Sequence, residues 1–310
     1  MPMQGREIKN RLRSIKNSKK ITKAMELVSA AKMRRAVQGA LNTRTYANML
    51  WDIMFRIVTS VELKPGDVVQ RFFSLAPDAK KTNRTTVILF TSNRGLCGAF
   101  NSNVMKQVLP FIKEHGQDNV EVIAYGKKGI VTLNNLGVKA EFAYAKDDTA
   151  RDISSIAEVA SYVYKQYRDG KTDRVVVAYT DYKSAVAQTP VMKQLFPLDR
   201  AGSISKGVEN DEVKNMPATP DMSSTIDYLY EPTKLDVLEY IIPRLAEVQL
   251  YQALLESNAS EHSARMVAMK NATDAAKEMV DELVLAFNRT RQASITREIA
   301  EIAAGTAAVS

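Results

Sequence analysis

The feature that most constrains this chain is a set of residues near its C-terminus. Leu245, Val248, Gln252, Leu255, Ala259, His262, Met266, Met269, Thr273, Ala276, Val280, Leu283 and Phe287 are separated by steps that alternate three and four without a break. A 3.5-residue repeat keeps one helical stripe facing a partner and predicts a left-handed coiled coil. No Gly or Pro falls between Pro243 and Gly305. Pro232 suits a first helical turn, so a helix is expected over 233–304, about 108 Å long. Pro243 should kink it or mark a late start. Gln252, Ala259, His262, Thr273 and Ala276 are small or polar where a very stable zipper carries Leu or Ile. Such residues permit close approach and fix register at a cost in stability, and His262 reads as a register or half-buried seam residue.

A second long helix is expected at the other end. Residues 5–58 contain no proline, and Ile8, Leu12, Ile15, Thr22, Met25 and Ser29 fall at helical spacing, followed by Leu41, Met49, Ile53 and Phe55. At ~1.5 Å per residue it would run about 80 Å. This helix holds the charge. The chain of 310 residues carries a net +8, yet residues 1–60 hold thirteen Lys and Arg against Glu7, Glu26 and Asp52. The other 250 residues are near neutral, with 30 basic and 32 acidic groups. A basic arm of this kind can bind nucleic acid or acidic lipid, serve as a transit peptide, or be a solvated face.

Between the helices the period changes. Short β-branched runs at Thr86–Thr91, Val120–Tyr125, Val138–Tyr144, Arg174–Tyr179 and Ala185–Leu195 alternate with helical spacing near 103–115, after Gly126, and at Ile153–Tyr167. That alternation predicts a Rossmann-like α/β domain with a mainly parallel sheet. Residues 199–223 read as a long loop, and Ile226–Tyr230 as a possible last strand. The expected domains are 1–60, a central α/β domain over 61–231, and 232–310. The simplest packing sets the two helices antiparallel, with the domain at one end and the tip of the longer helix projecting alone.

Site chemistry is mostly excluded. No apolar run reaches the ~18–20 residues that span a bilayer. One cysteine (Cys97) and two histidines rule out a disulfide framework and disfavour structural zinc. The glycine turns Gly95–Gly98 and Gly126–Gly129 match neither the dinucleotide nor the P-loop fingerprint. Cys97 has Arg94 nearby but no evident base. Catalytic, cofactor and metal residues are therefore assigned to none, and a scaffolding or mechanical role is expected. The absence of aromatics interleaved with the basic residues weighs against single-stranded nucleic acid.

Three stretches go further: Ile21–Met33 (ITKAMELVSAAKM), Ser260–Thr273 (SEHSARMVAMKNAT) and Arg291–Glu301 (RQASITREIAE), the last followed by Ala303-Ala304-Gly305. With them the chain resembles the gamma-subunit family of F-type ATP synthases, departing from its signature at Thr306, where Ala is usual. The resemblance implies a non-catalytic rotor. Its helices would form an antiparallel coiled coil inside a ring of alpha and beta subunits, with the α/β domain on the membrane c-subunit ring beside epsilon. It implies a beta contact at Met25, contacts with the ring near the tip at Arg291, Gln292, Thr296 and Glu301, and a coupling role for Glu261 and Arg265. The basic helix, with Arg34 and Arg35, is expected to meet acidic loops of beta. No nucleic-acid partner is expected, and membrane association would come through the complex alone. The 199–223 loop has no cysteine, so the plastid dithiol switch is impossible. The match starts within ten residues of the N-terminus, leaving no room for a transit peptide. Both points suggest a peripheral protein on the cytoplasmic face of a bacterial plasma membrane.

Overall fold

The structure, a computed structural model, describes residues 5–61, 68–73, 83–148, 152–198 and 229–309. The expected loop at 199–223 lies outside them, as does most of the possible last strand. The chain divides into two compact units, Met1–Ser29 with Arg265–Ser310, and Ala30–Ala264. Both expected long helices are present: α1 is Gly5–Thr59 and α6 is Lys234–Val309.

Pro243 does not mark the start of α6, which begins nine residues earlier. Thr233 sets the start. Its hydroxyl accepts the Asp236 N–H at 3.2 Å and bonds the Asp236 carboxylate at 2.6 Å, satisfying a first-turn donor. Pro243 has no N–H to offer the preceding turn. Ile242, Leu245 and Ala246 around it are buried, and this packing keeps the turn helical.

The second unit holds the sheet. Its other elements are α2 (Val68–Phe72), β1 (Thr85–Phe90), α3 (Phe100–His115), β2 (Val120–Tyr125), α4 (Lys127–Asn135), β3 (Phe142–Tyr144), α5 (Ser154–Arg168), β4 (Arg174–Tyr182) and β5 (Gln188–Phe196). The strand order is β3-β2-β1-β4-β5. All neighbours are parallel except β5, which pairs antiparallel with β4. This is the doubly wound arrangement expected. The third strand is shorter than the Val138–Tyr144 expectation. Gly137 (φ 74°) donates to Asn134 O, and Val138 donates to Leu133 O. That pair of bonds caps α4 and uses the Val138 N–H that a strand would need.

Every residue of β1 is buried, because both faces of the sheet are covered. Val87 and Leu89 pack with Val104, Met105 and Val108 of α3 and Leu133 of α4. Ile88 and Phe90 point the other way, into a core with Ile156, Val159 and Val163 of α5, Trp51, Met54 and Ile57 of α1, and Leu238 to Leu255 of α6. Each such side chain contributes roughly 1.5–3 kcal/mol on burial, and Phe90→Ala would cost about 3–5 kcal/mol. The long helices thus supply part of the second covering layer of the sheet.

The buried face of α1 in this unit differs from the expected one. Met49 and Phe55 are exposed, whereas Ala40, Arg44, Ala47, Trp51, Met54 and Ile57 are buried. Three of these six are alanines or arginine, types that carry little apolar signal. Within the unit the two helices are antiparallel. Ala36 packs with Ala259, Gly39 faces Leu255, and Lys234 Nζ donates to Ser60 Oγ at 3.1 Å.

In the first unit, the Thr22 and Thr273 hydroxyls share a hydrogen bond of 2.8 Å, and Thr273 also sits 2.8 Å from Met269 O. Ile8, Ser29, Met269 and Ala276 are buried. Residues 291–304 are exposed without exception.

Candidate functional site

In a doubly wound sheet, ligands bind beyond the carboxyl ends of the strands where the crossovers change direction. Here that place lies between β1 and β4, and α6 runs along the same carboxyl edge, bonded to β4, to the turn after it and to the segment after β3. Ser260 Oγ donates to Thr180 O at 3.0 Å, and Ser263 Oγ donates to Ala185 O at 2.5 Å. Asn258 Nδ2 donates to Asp147 O at 2.9 Å, and His262 Nε2 is 3.4 Å from Asp148 O. Every residue from Gln252 to Ser263 is buried. Small side chains let α6 come this close, and their hydroxyls bond carbonyl groups of β4 and of the turn that follows it. His262 is therefore a buried seam residue bound to backbone, as its position in the repeat suggested.

The Gly126–Gly129 turn is closed by internal bonds. Gly129 N donates to Thr91 Oγ1 and Lys128 N to Ser92 O, each at 3.0 Å, so these N–H groups at the start of α4 are used internally. A methyl at Gly129 would lie 2.6 Å from Thr91 Oγ1. Gly126 and Gly129 serve close packing of the start of α4 on Thr91, just after β1. Cys97 is buried, and its sulfur accepts from Asn101 Nδ2 at 3.4 Å. Among the described residues, no group of three or more His, Cys, Asp or Glu could hold a metal.

Two buried charge clusters lie under this helix. Lys146 Nζ meets Glu261 Oε2 at 2.5 Å, and both side chains are at most 1% exposed. Glu256, also fully buried, takes Gln252 Nε2 at 2.8 Å and lies 3.9 Å from Arg44 Nη2. Burial, reinforced by the charge of Asp181, pushes the Glu256 carboxyl up to about 8, while Gln252, Lys193 and Arg44 oppose the rise. Tyr179 is pushed well up by burial and then by Glu256 and Asp181. Sequence reasoning singled out neither Lys146 nor the Asp181–Glu256 pair. A signal was available: from Val248 to Ala264 the only charged residues are Glu256 and Glu261, a composition unsuited to a solvated helix face.

A family model described as ATP synthase matches residues 4–309. The ATP synthase gamma chain of Roseiflexus sp. (strain RS-1) is 39% identical over 308 residues, covering 98% of each chain. That of Roseiflexus castenholzii is 40% identical over 311 residues, with the same coverage. The chain belongs to the ATP synthase gamma-chain family. Solved structures agree in fold. A chain from the mitochondrial ATP synthase of Euglena gracilis aligns with a TM-score of 0.61 at 18% identity, covering 98% of this chain and 94% of that one. One from the central stalk and c-ring of the Tetrahymena thermophila enzyme gives 0.56 at 24%, covering 81% and 99%.

The residues singled out through the gamma-chain resemblance fall into distinct settings. In the first unit Met25 is half-buried on α1, while Arg291, Gln292, Thr296 and Glu301 are exposed on α6. There the Thr296 hydroxyl donates to Gln292 O at 2.9 Å, within its own helix. Arg265 is buried. In the second unit Arg34 and Arg35 are exposed, and Glu261 is enclosed. The first unit also carries an open groove of about 1190 Å³ lined by Arg6, Lys9, Arg13, Lys16, Lys20 and Lys23, with Leu12, Leu27 and Thr273.

Proposed function

We propose that this chain is the central rotor shaft of an F-type ATP synthase. It is non-catalytic: rotation inside a ring of alpha and beta subunits couples ion flow through a membrane c-ring to ATP synthesis and hydrolysis, with epsilon beside its α/β domain. The observation that carries this reading is the gamma-chain relationship over 98% of both chains. The carboxyl edge supports a mechanical role, because there the sheet grips the chain's own helix. Ile295, Ile299 and Ile302, between 48% and 63% exposed, form a stripe along the distal part of α6. Apolar residues at that spacing call for a cover, and an enclosing ring supplies one. The basic groove of the first unit suits acidic loops on beta, whose attraction repeats at successive rotor angles. Met25, Arg34, Arg35, Arg291, Gln292, Thr296 and Glu301 are read as ring contacts, and Glu261 and Arg265 as supports of coupling.

No helix among the described residues is long and apolar enough to cross a membrane. We place the chain at the cytoplasmic face of a bacterial plasma membrane, held through the complex. Co-expression with alpha and beta subunits of the same source is the direct test. A stable, purifiable ATPase complex is expected, and alpha and beta that assemble identically without this chain would refute the reading.

A further inference from the structure

Glu261 is 1% exposed, and its carboxylate is enclosed with Lys146. A carboxylate so enclosed cannot touch another subunit. Whatever it contributes to coupling passes through contacts inside the chain, the ion pair with Lys146 among them. Lys146 follows β3, and both polar atoms of one side-chain amide hold its backbone: Asn93 Oδ1 accepts Lys146 N–H at 3.1 Å, and Asn93 Nδ2 donates to Lys146 O at 2.6 Å. Its ammonium also lies 5.3 Å over the ring of Phe100, at the start of α3. The next two carbonyls, of Asp147 and Asp148, meet Asn258 and His262 on the flanking turns of α6. Lys146 therefore ties the end of β1 and the start of α3 to one turn of the C-terminal helix.

We propose that Lys146 is the positioning residue for Glu261, and that this ion pair is the pin that fixes α6 against rotation about its own axis on the sheet. The proposal rests on the rotor reading and deepens it. Apolar seam contacts are non-directional and resist separation of the helices more than a turn about the axis. A buried ion pair is directional. Turning the helix by one residue would carry Glu261 about 100° away and separate two buried charges, an expensive change.

The test uses the complete enzyme in sealed vesicles and reads the ratio of ATP-driven proton uptake to ATP hydrolysis. Lys146→Met and Glu261→Met are each expected to lower that ratio at least threefold, with assembled enzyme and hydrolysis within twofold of wild type. The double variant should lower it no further than one single change, and Lys146→Arg should retain most of it. A wild-type ratio in Lys146→Met, or effects that multiply in the double variant, overturns the proposal. Should the single variants fail to assemble, the double variant removes both charges of the pair and is read alone; a wild-type ratio there also overturns it. Hydrogen exchange on the full chain is independent of assembly. Lys146→Met should speed exchange of the 257–263 amides at least tenfold while sparing 238–250, and unchanged exchange at 257–263 counts against the pin. A wild-type chain that forms no coupled enzyme would instead refute the rotor reading.

Discussion

Arg44 of α1 and Glu256 of α6 face each other 3.9 Å apart inside the second unit, and the carboxyl between Arg44 and the β4 acid Asp181 holds a proton at neutral pH. The two charged donors nearby do not outweigh burial and the second acid, so Glu256 titrates near 8 and not at its ordinary 4.5. In the unfolded chain it titrates at the ordinary value. The folded state therefore holds a proton that the unfolded state releases between those limits. The associated stability is fully present below pH 4.5 and is lost as the pH rises toward 8. Glu256→Gln should flatten that slope and raise stability at pH 8 by roughly 1–3 kcal/mol. Urea unfolding of the chain from pH 5 to 9 measures it, and an unaltered slope in the variant would exclude Glu256 as its source.

The Thr22–Thr273 bond crosses from one long helix to the other within the first unit. Thr273→Val keeps the shape and removes the hydroxyl, so a loss of about 0.5–1.5 kcal/mol is expected. The double change Thr22→Val with Thr273→Val should cost less than the sum of the single changes, because the shared bond can be lost only once. Additive losses in thermal unfolding would show that the two groups do not interact.

Gly126 and Gly137 both have positive φ, 101° and 74°, but only Gly126 is crowded. A methyl at Gly126 would overlap the Thr91 carbonyl, whereas at Gly137 it meets nothing within 4 Å. Gly126→Ala is expected to destabilise by more than ~2 kcal/mol through strain and steric clash together, and Gly137→Ala by about 1 kcal/mol through backbone strain alone. Equal midpoints for the two variants would contradict this ranking.

For the assembled enzyme, Arg34→Glu with Arg35→Glu should reduce ATP-driven proton pumping more than it reduces the yield of complex. Both side chains are exposed in the chain, so reversing them leaves its own packing intact. Pumping at the wild-type ratio would dismiss an acidic partner for this face. Met25→Lys places a cation at the half-buried Met25 position and should impair coupling by creating a preferred resting angle; normal pumping efficiency would argue against a contact there.

The seam of α6 was legible because one apolar stripe at a 3.5-residue period has only one structural meaning. From Leu245 to Thr273 its members are buried, apart from half-buried Met266. The opposite face of the same helix was not legible. Asn258, Ser260 and Ser263 make their contacts by hydrogen bonding to loop and strand-end groups, which leaves no hydrophobic periodicity. The misjudged face of α1 has the same origin, since Ala40, Ala47 and Arg44 signal burial weakly. At the tip, Arg291, Gln292, Thr296 and Glu301 could be named only through the family pattern, because exposed residues leave no burial periodicity to read. Lys146 sits in a loop without periodicity, and only the fold brings it to Glu261.

The helix lying across the sheet's carboxyl edge also bears on inhibitor design. It acts as a tethered competitor, present at the high effective concentration that covalent attachment confers. A small molecule aimed at this edge would have to displace Ser260 and Ser263 from the carbonyls they hold. Compounds that act on this chain should be sought along its exposed helical faces.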